Sequence, residues 1–305
     1  MEKYRSAQEE SFQRTCTWCA LSVLGYLFCS LLGSTAGNAF LDHWMREDGV
    51  GAPLEKMECL AWGINLAFSL IGLLIPLCVG LLVSKLPLAQ LRCNAPRKGI
   101  VLPALIVYLG GAQIGGVLAG LVGQATGSTQ EIALPESTMA HVLAFLVMCV
   151  VAPVMEELLF RGLMQGLLRP YGLWLAIVGQ AVPFALLHGS AAAFVFALLA
   201  GLFFGWLAER SDSILPGMLL HFINNTMAFL QVLLLQNGAR QLAEIISIFS
   251  LIFFPLSALI VVIWWIRQGG LRRKLERVAR VDRLLYSVPW VVTQIFLLLF
   301  SLFQA

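Results

Sequence analysis

Charge is what this sequence has least of. Only 12% of its 305 residues are Asp, Glu, Lys or Arg, about half the usual share in soluble domains. That excludes an ordinary water-soluble globule. Also missing are a GxxxxGK[ST] phosphate loop, a paired CxxC metal site and an HExxH zinc helix. No serine sits in a nucleophile elbow, which removes the usual covalent hydrolase pattern. No internal repeat is visible, which argues against an inverted-repeat transporter. The seven cysteines form an odd set scattered through apolar stretches, as small core residues and not as a disulfide framework. The net charge of +3 bears on topology, and no nucleic-acid partner is expected.

What is abundant is apolar: 59% of residues are hydrophobic. Runs of about 20 such residues suit helices that cross a bilayer, and they are too long for barrel strands. The fold class is all-α, a polytopic transmembrane helical bundle of about eight to nine spans. Candidate spans cover residues 16–36, 60–83, 100–123, 138–168, 173–189, 191–208, 214–236, 243–266 and 287–304. The last is the least secure as a full crossing. The first run is longer than a signal-peptide core and is expected to stay as an uncleaved anchor. Three regions follow: N-terminal spans (1–137), a central core (138–236), and a C-terminal part (237–305) with a polybasic stretch at 267–283. Cytoplasmic loops carry the excess of Lys and Arg. With the N-terminus inside, 17 of the 20 basic residues fall on that side, and only Arg46, Lys56 and Arg240 do not. The polybasic stretch then lies against lipid headgroups as a topology determinant. Glycines in "GGAQIGGVLAG" of the third span are read as packing residues.

Ionisable residues inside spans are few, and each is a functional hypothesis. In "VVAPVMEELLFRGLMQ", Glu157 and Arg161 are four apart and can pair on one helix face. Glu156 is rotated by about 100° and has no partner in its own motif. Pro153 can kink the helix just before it. In "FALLH", Phe184 and His188 are one turn apart. In "HFINN", His221 and Asn225 share a face. Each group alone can be read blandly, as charge at a span end or as interhelical hydrogen bonding. Depth speaks for more. Counted from the turn at 169–172, Glu156 and His188 lie roughly 20 and 24 Å along their helices, and His221 and Asn225 roughly 10 and 16 Å along theirs. Helix tilt can bring a carboxylate, two imidazoles and an amide together within the bilayer. Such a set suits water activation, with a glutamate as general base. An asparagine amide and a histidine N–H can donate to an oxyanion.

EExxxR, FxxxH and HxxxN, in this order on successive spans, resemble the CPBP family of intramembrane proteases. That family includes Rce1-type CAAX prenyl endopeptidases and bacteriocin-processing or self-immunity homologues. The resemblance covers roughly residues 138–236 and implies an Rce1-like protease core. It implies that Glu156 is the catalytic glutamate, that His188 helps it hold water, and that His221 and Asn225 stabilise the oxyanion. Glu157, Arg161 and Phe184 fall in supporting positions. Family members are often labelled metalloproteases. A metal-free glutamate mechanism is the favoured expectation, with no cofactor; the alternative is zinc on Glu156, His188 and His221. Expected partners are membrane lipids and a hydrophobic or lipidated peptide or protein substrate. The expected location is the plasma membrane of a prokaryote, as a multi-pass integral protein with a cytoplasmic N-terminus. Two other functions compete: an immunity or peptide-binding protein without turnover, and a proton-coupled transporter.

Overall fold

The computed structural model describes residues 2–47, 51–128, 133–268, 284–285 and 287–304. Most of the polybasic stretch at 267–283 lies outside the described residues. Among them the chain is helical throughout, with no strand. The described residues form nine longer helices: α1 (Glu2–Glu47), α2 (Leu54–Ser84), α3 (Val101–Thr126), α4 (Thr138–Tyr171), α5 (Leu173–Leu186), α6 (Ala191–Ser211), α7 (Leu215–Gln236), α8 (Arg240–Arg267) and α9 (Val288–Gln304). Seven of these are long and apolar enough to cross a membrane; α5 and α9 are shorter. The all-helical polytopic bundle is therefore as expected.

The lengths differ from expectation at the first span. α1 runs for 46 residues, or roughly 69 Å at 1.5 Å per residue, well beyond the roughly 30 Å hydrocarbon core. Charged residues at both of its ends interrupt hydrophobicity without interrupting helix. Its level in the bundle is set by Tyr171, whose hydroxyl lies 2.9 Å from Ser11 Oγ and 3.1 Å from Thr15 Oγ1.

α1 packs along α2, and α2 along α4; α5 packs on α6, and α3 lies between α6 and α8. α9 rests against α1 and α5, with Trp290 buried and its Nε1–H directed at Gly179 O, 3.4 Å away. The glycines of α3 divide by environment. A Cβ on Gly110 would come within 2.7 Å of Phe254 O on α8, so this glycine permits the close crossing. Gly111, Gly116 and Gly120 meet nothing within 4 Å. The outer face of α8 is apolar, with Ile245, Ile248, Phe249, Ile252 and Ile260 all exposed, as suits contact with lipid. All seven cysteines are free.

One end of the bundle is closed by a polar lock. Arg92 Nη1 donates to Glu209 Oε1 at 2.8 Å and to Ala208 O at 3.2 Å, although Arg92 is only 5% exposed. Glu209 also takes Arg169 Nε at 3.1 Å and Gln165 Nε2 at 2.9 Å. Ile214 N–H donates to Arg92 O, and Ser213 Oγ–H to Asn94 O at 2.5 Å. Three basic loops, which the charge pattern put on one side, thus meet at one end. These bonds hold the loop before α7, and the third residue of α7, Gly217, already faces the Glu157 carboxylate.

Candidate active site

The central motif lies in an unusual part of α4. Two stretches, Leu146–Val151 and Glu157–Met164, are wound as π-helix, a form that is rare and frequent at functional sites. Their bonds reach five residues back: Ala152 N–H goes to Val147 O, and Gln165 N–H to Phe160 O. Pro153 follows and has no N–H to give. The carbonyl of Met148 thereby loses both of its helical donors. Asn225 replaces them from α7, its Nδ2 donating to Met148 O at 2.8 Å. Asn224 Nδ2 in turn donates to Asn225 Oδ1 at 3.3 Å.

Below this brace, Glu157 and Arg161 are both fully buried, with Arg161 Nη1 2.9 Å from Glu157 Oε1. The contact is an ion pair by distance but lies off the hydrogen-bonding direction of the guanidinium. The guanidinium carbon sits 4.2 Å from the Phe184 ring centre and 5.3 Å from that of Phe204, a cation–π arrangement. Glu157 has a second partner that sequence reasoning missed. His221 Nδ1 lies 3.2 Å from Glu157 Oε1, and His221 Nε2 lies 3.8 Å from Glu156 Oε2. One imidazole therefore bridges the two adjacent glutamates. Gly217 makes this possible, since a Cβ there would stand 2.9 Å from Glu157 Oε2.

Glu156 has the other environment. Its side chain keeps 16% exposure and lines a cavity of about 90 Å³ with Tyr26, Phe160, Phe184, Leu187 and His188. That space holds on the order of three waters. His188 Nδ1 lies 2.8 Å from the carbonyl oxygen of Phe184. A carbonyl only accepts, so Nδ1 carries the proton and Nε2 keeps a lone pair. The Phe184 ring is wedged among the site residues, 4.8 Å from His188 and 6.0 Å from His221. The local sequence explains how His188 is presented. Gly189 takes φ +76°, the left-handed region that glycine favours. Ser190 then caps α6, its Oγ accepting from Ala193 N–H at 3.1 Å. The chain reverses immediately after His188.

Glu156, His188, His221, Phe184, Glu157 and Arg161 are thus brought together. Asn225 joins them through the backbone of α4 at Met148. Phe204 and Gly217 belong to the same cluster and carried no signal beyond ordinary apolar sequence. Among the described residues, no three His, Cys, Asp or Glu side chains are grouped so as to hold a metal ion. The alternative zinc set of Glu156, His188 and His221 is not grouped in that way.

Residues 138–227 match the family model described as Rce1-like: Type II CAAX prenyl endopeptidase Rce1-like. No curated protein matches the chain. No solved structure matches it either. All three motifs fall inside the matched segment, which makes up less than a third of the chain.

Proposed function

We propose that the protein is an intramembrane endopeptidase that hydrolyses a peptide bond in a hydrophobic or lipidated substrate without a covalent intermediate. One observation carries this reading: Glu156 and His188 face the same water-sized cavity, while Glu156's neighbour Glu157 is locked away in an ion pair. Adjacent carboxylates with different surroundings suit one reactive and one structural role.

Water in this cavity lies between Glu156 and His188 Nε2. Glu156 takes a proton from it as the oxygen attacks the scissile carbonyl carbon. The carbonyl π-electrons move onto oxygen. Collapse of the tetrahedral species breaks the C–N bond, and Glu156 returns the proton to the departing amine. No oxidant or cofactor enters the balance. The developing oxyanion is met by His221 Nε2–H and by the second amide N–H of Asn225, whose first is held by Met148 O. Donation from Nε2 while Nδ1–H faces Glu157 makes His221 an imidazolium. With His221 charged, the formal charges of Glu156, Glu157, Arg161 and His221 sum to zero, which suits burial in hydrocarbon.

The test is cleavage of a panel of lipidated and hydrophobic peptides by purified protein in lipid, with and without a chelator. Cleavage that survives chelation supports the reading. Binding without cleavage supports a peptide-binding or immunity protein instead. Activity lost on chelation and restored by zinc would replace the metal-free mechanism. A chelator-insensitive proton flux without cleavage would indicate a transporter.

A further inference from the structure

The catalytic cavity adjoins a larger one. Tyr26 of α1 lines it on one side, and also lines a cleft of about 410 Å³ between α1 and α2. That volume is within the roughly 300–1,000 Å³ range of ligand sites. Neither helix belongs to the segment matched by the family model. The cleft carries polar groups although both helices are spans: Ser30, Ser34 and Asn38 line it from α1, and Asn65 and Ser69 from α2. The three α1 residues recur every four positions and share a face.

These groups are under-used. Among the described residues Asn38 has no hydrogen-bond partner. Asn65 uses only Oδ1, which accepts from Ser69 Oγ at 3.1 Å. Two exposed amide NH₂ groups thus have no partner among the described residues, that of Asn65 within a span and that of Asn38 just past the end of one. A protease in a bilayer has the complementary need. The scissile stretch must leave its helix to be attacked, which frees backbone N–H and C=O groups in the same medium. Hydroxyls and amides along a cleft can pair with both, because each amide donates and accepts.

The cleft also has a direction. Thr15 sits level with Tyr171 at the basic end, and Tyr26 lies eleven residues further along α1, roughly 16 Å. From Tyr26 the lining continues away from that end, to Leu41 and Ala61. There Glu58 accepts the backbone N–H groups of Glu136 and Ser137 at 2.6 and 2.8 Å, at the opposite end of the bundle.

We propose that the α1–α2 cleft holds the unwound, extended stretch of the peptide substrate. The peptide enters from the end opposite the basic loops and passes Tyr26 into the catalytic cavity. This rests on the endopeptidase reading and refines its substrate class. It favours a transmembrane or exported peptide reaching the site from that end over a tail offered at the basic end.

The experiment uses full-length protein in liposomes, its seven cysteines replaced, with Glu156→Gln so that bound peptide is not turned over. Ser34→Cys, Asn38→Cys and Asn65→Cys are introduced singly, with Leu32→Cys, 57% exposed and outside the cleft lining, as control. A charged methanethiosulfonate measures water access. The probe is a synthetic apolar peptide of about 20 residues with a central helix-breaking Gly-Pro pair. An unbroken helical peptide serves for comparison. The three cleft cysteines should react and Leu32→Cys should not. The Gly-Pro peptide at about ten times its dissociation constant should slow the reaction about tenfold; the unbroken helix should not. Reaction without protection at all three positions leaves a water-filled cleft only and overturns the proposal. No reaction means lipid fills the cleft and overturns it too. Cleavage of the same probe by unsubstituted protein is scored separately. Protection without cleavage sinks the endopeptidase reading and keeps the cleft; cleavage without protection does the reverse.

Discussion

Glu157→Gln probes the buried pair at the centre of α4. Glu157 and Arg161 are both at 0% exposure and 2.9 Å apart, so the discount for a solvated surface pair does not apply. At an effective dielectric of about 20 the gross attraction is roughly 6 kcal/mol. Desolvation of both ions offsets most of it, so the pair adds little net stability over an apolar replacement. Breaking one half is different. Glutamine keeps an oxygen for His221 Nδ1 but leaves the Arg161 charge uncompensated, at a cost of roughly 3–5 kcal/mol. Arg161→Met leaves Glu157 facing His221 and should also destabilise, by less than Glu157→Gln. The double variant removes both charges and should recover to within about 1 kcal/mol of the parent. Turnover should not recover with it, because His221 then lacks the carboxylate that faces Nδ1. The assay is reversible unfolding in mixed micelles, with peptide cleavage measured on the same samples. A Glu157→Gln protein as stable as the parent, or a double variant no better than either single one, would refute this reasoning.

Other positions separate geometry from fold. Gly217→Ala would place a Cβ 2.9 Å from the buried Glu157 Oε2, so it should cost about 1–3 kcal/mol of stability through overpacking and lower turnover about tenfold or more; unchanged stability and turnover would remove Gly217 from the site. Asn225→Ala leaves Met148 O unpaired and should cost roughly 1–3 kcal/mol of stability. If its second N–H serves the oxyanion, kcat also falls by about 10²–10³; a stability loss with kcat intact would leave Asn225 as a brace alone. Cysteine labelling should find residues 84–99 on the cytoplasmic side and 124–137 outside. The same side for both would sink the nine-span topology.

Much of this was legible because charge in an apolar helix is costly and therefore conspicuous. Glu156, Glu157, Arg161, His188 and His221 could be picked out, and the different surroundings of the two glutamates followed from one i,i+4 pairing. What stayed hidden depends on contacts with no local pattern. The π-wound stretches of α4 shift the register around Pro153, and nothing in a 3.6-residue period announces them. Asn225 is read from sequence as an oxyanion donor, yet it also replaces an N–H that Pro153 lacks. His221 bridging to Glu157 needs the close approach of α7 at Gly217, one turn earlier. Gly217 and Tyr26 look like ordinary span residues until their neighbours are known. The length of α1 was underestimated because hydropathy marks the membrane and not the helix.

The central claim is that Glu156 is the base. Glu156→Gln keeps the shape of the side chain and removes its ability to take a proton, while leaving the Glu157–Arg161 pair untouched. Purified in lipid, this variant should melt with the parent and lose at least the roughly 10²–10⁴-fold of rate that general acid–base catalysis supplies. A folded Glu156→Gln protein that cleaves peptide at close to the parent rate contradicts the account.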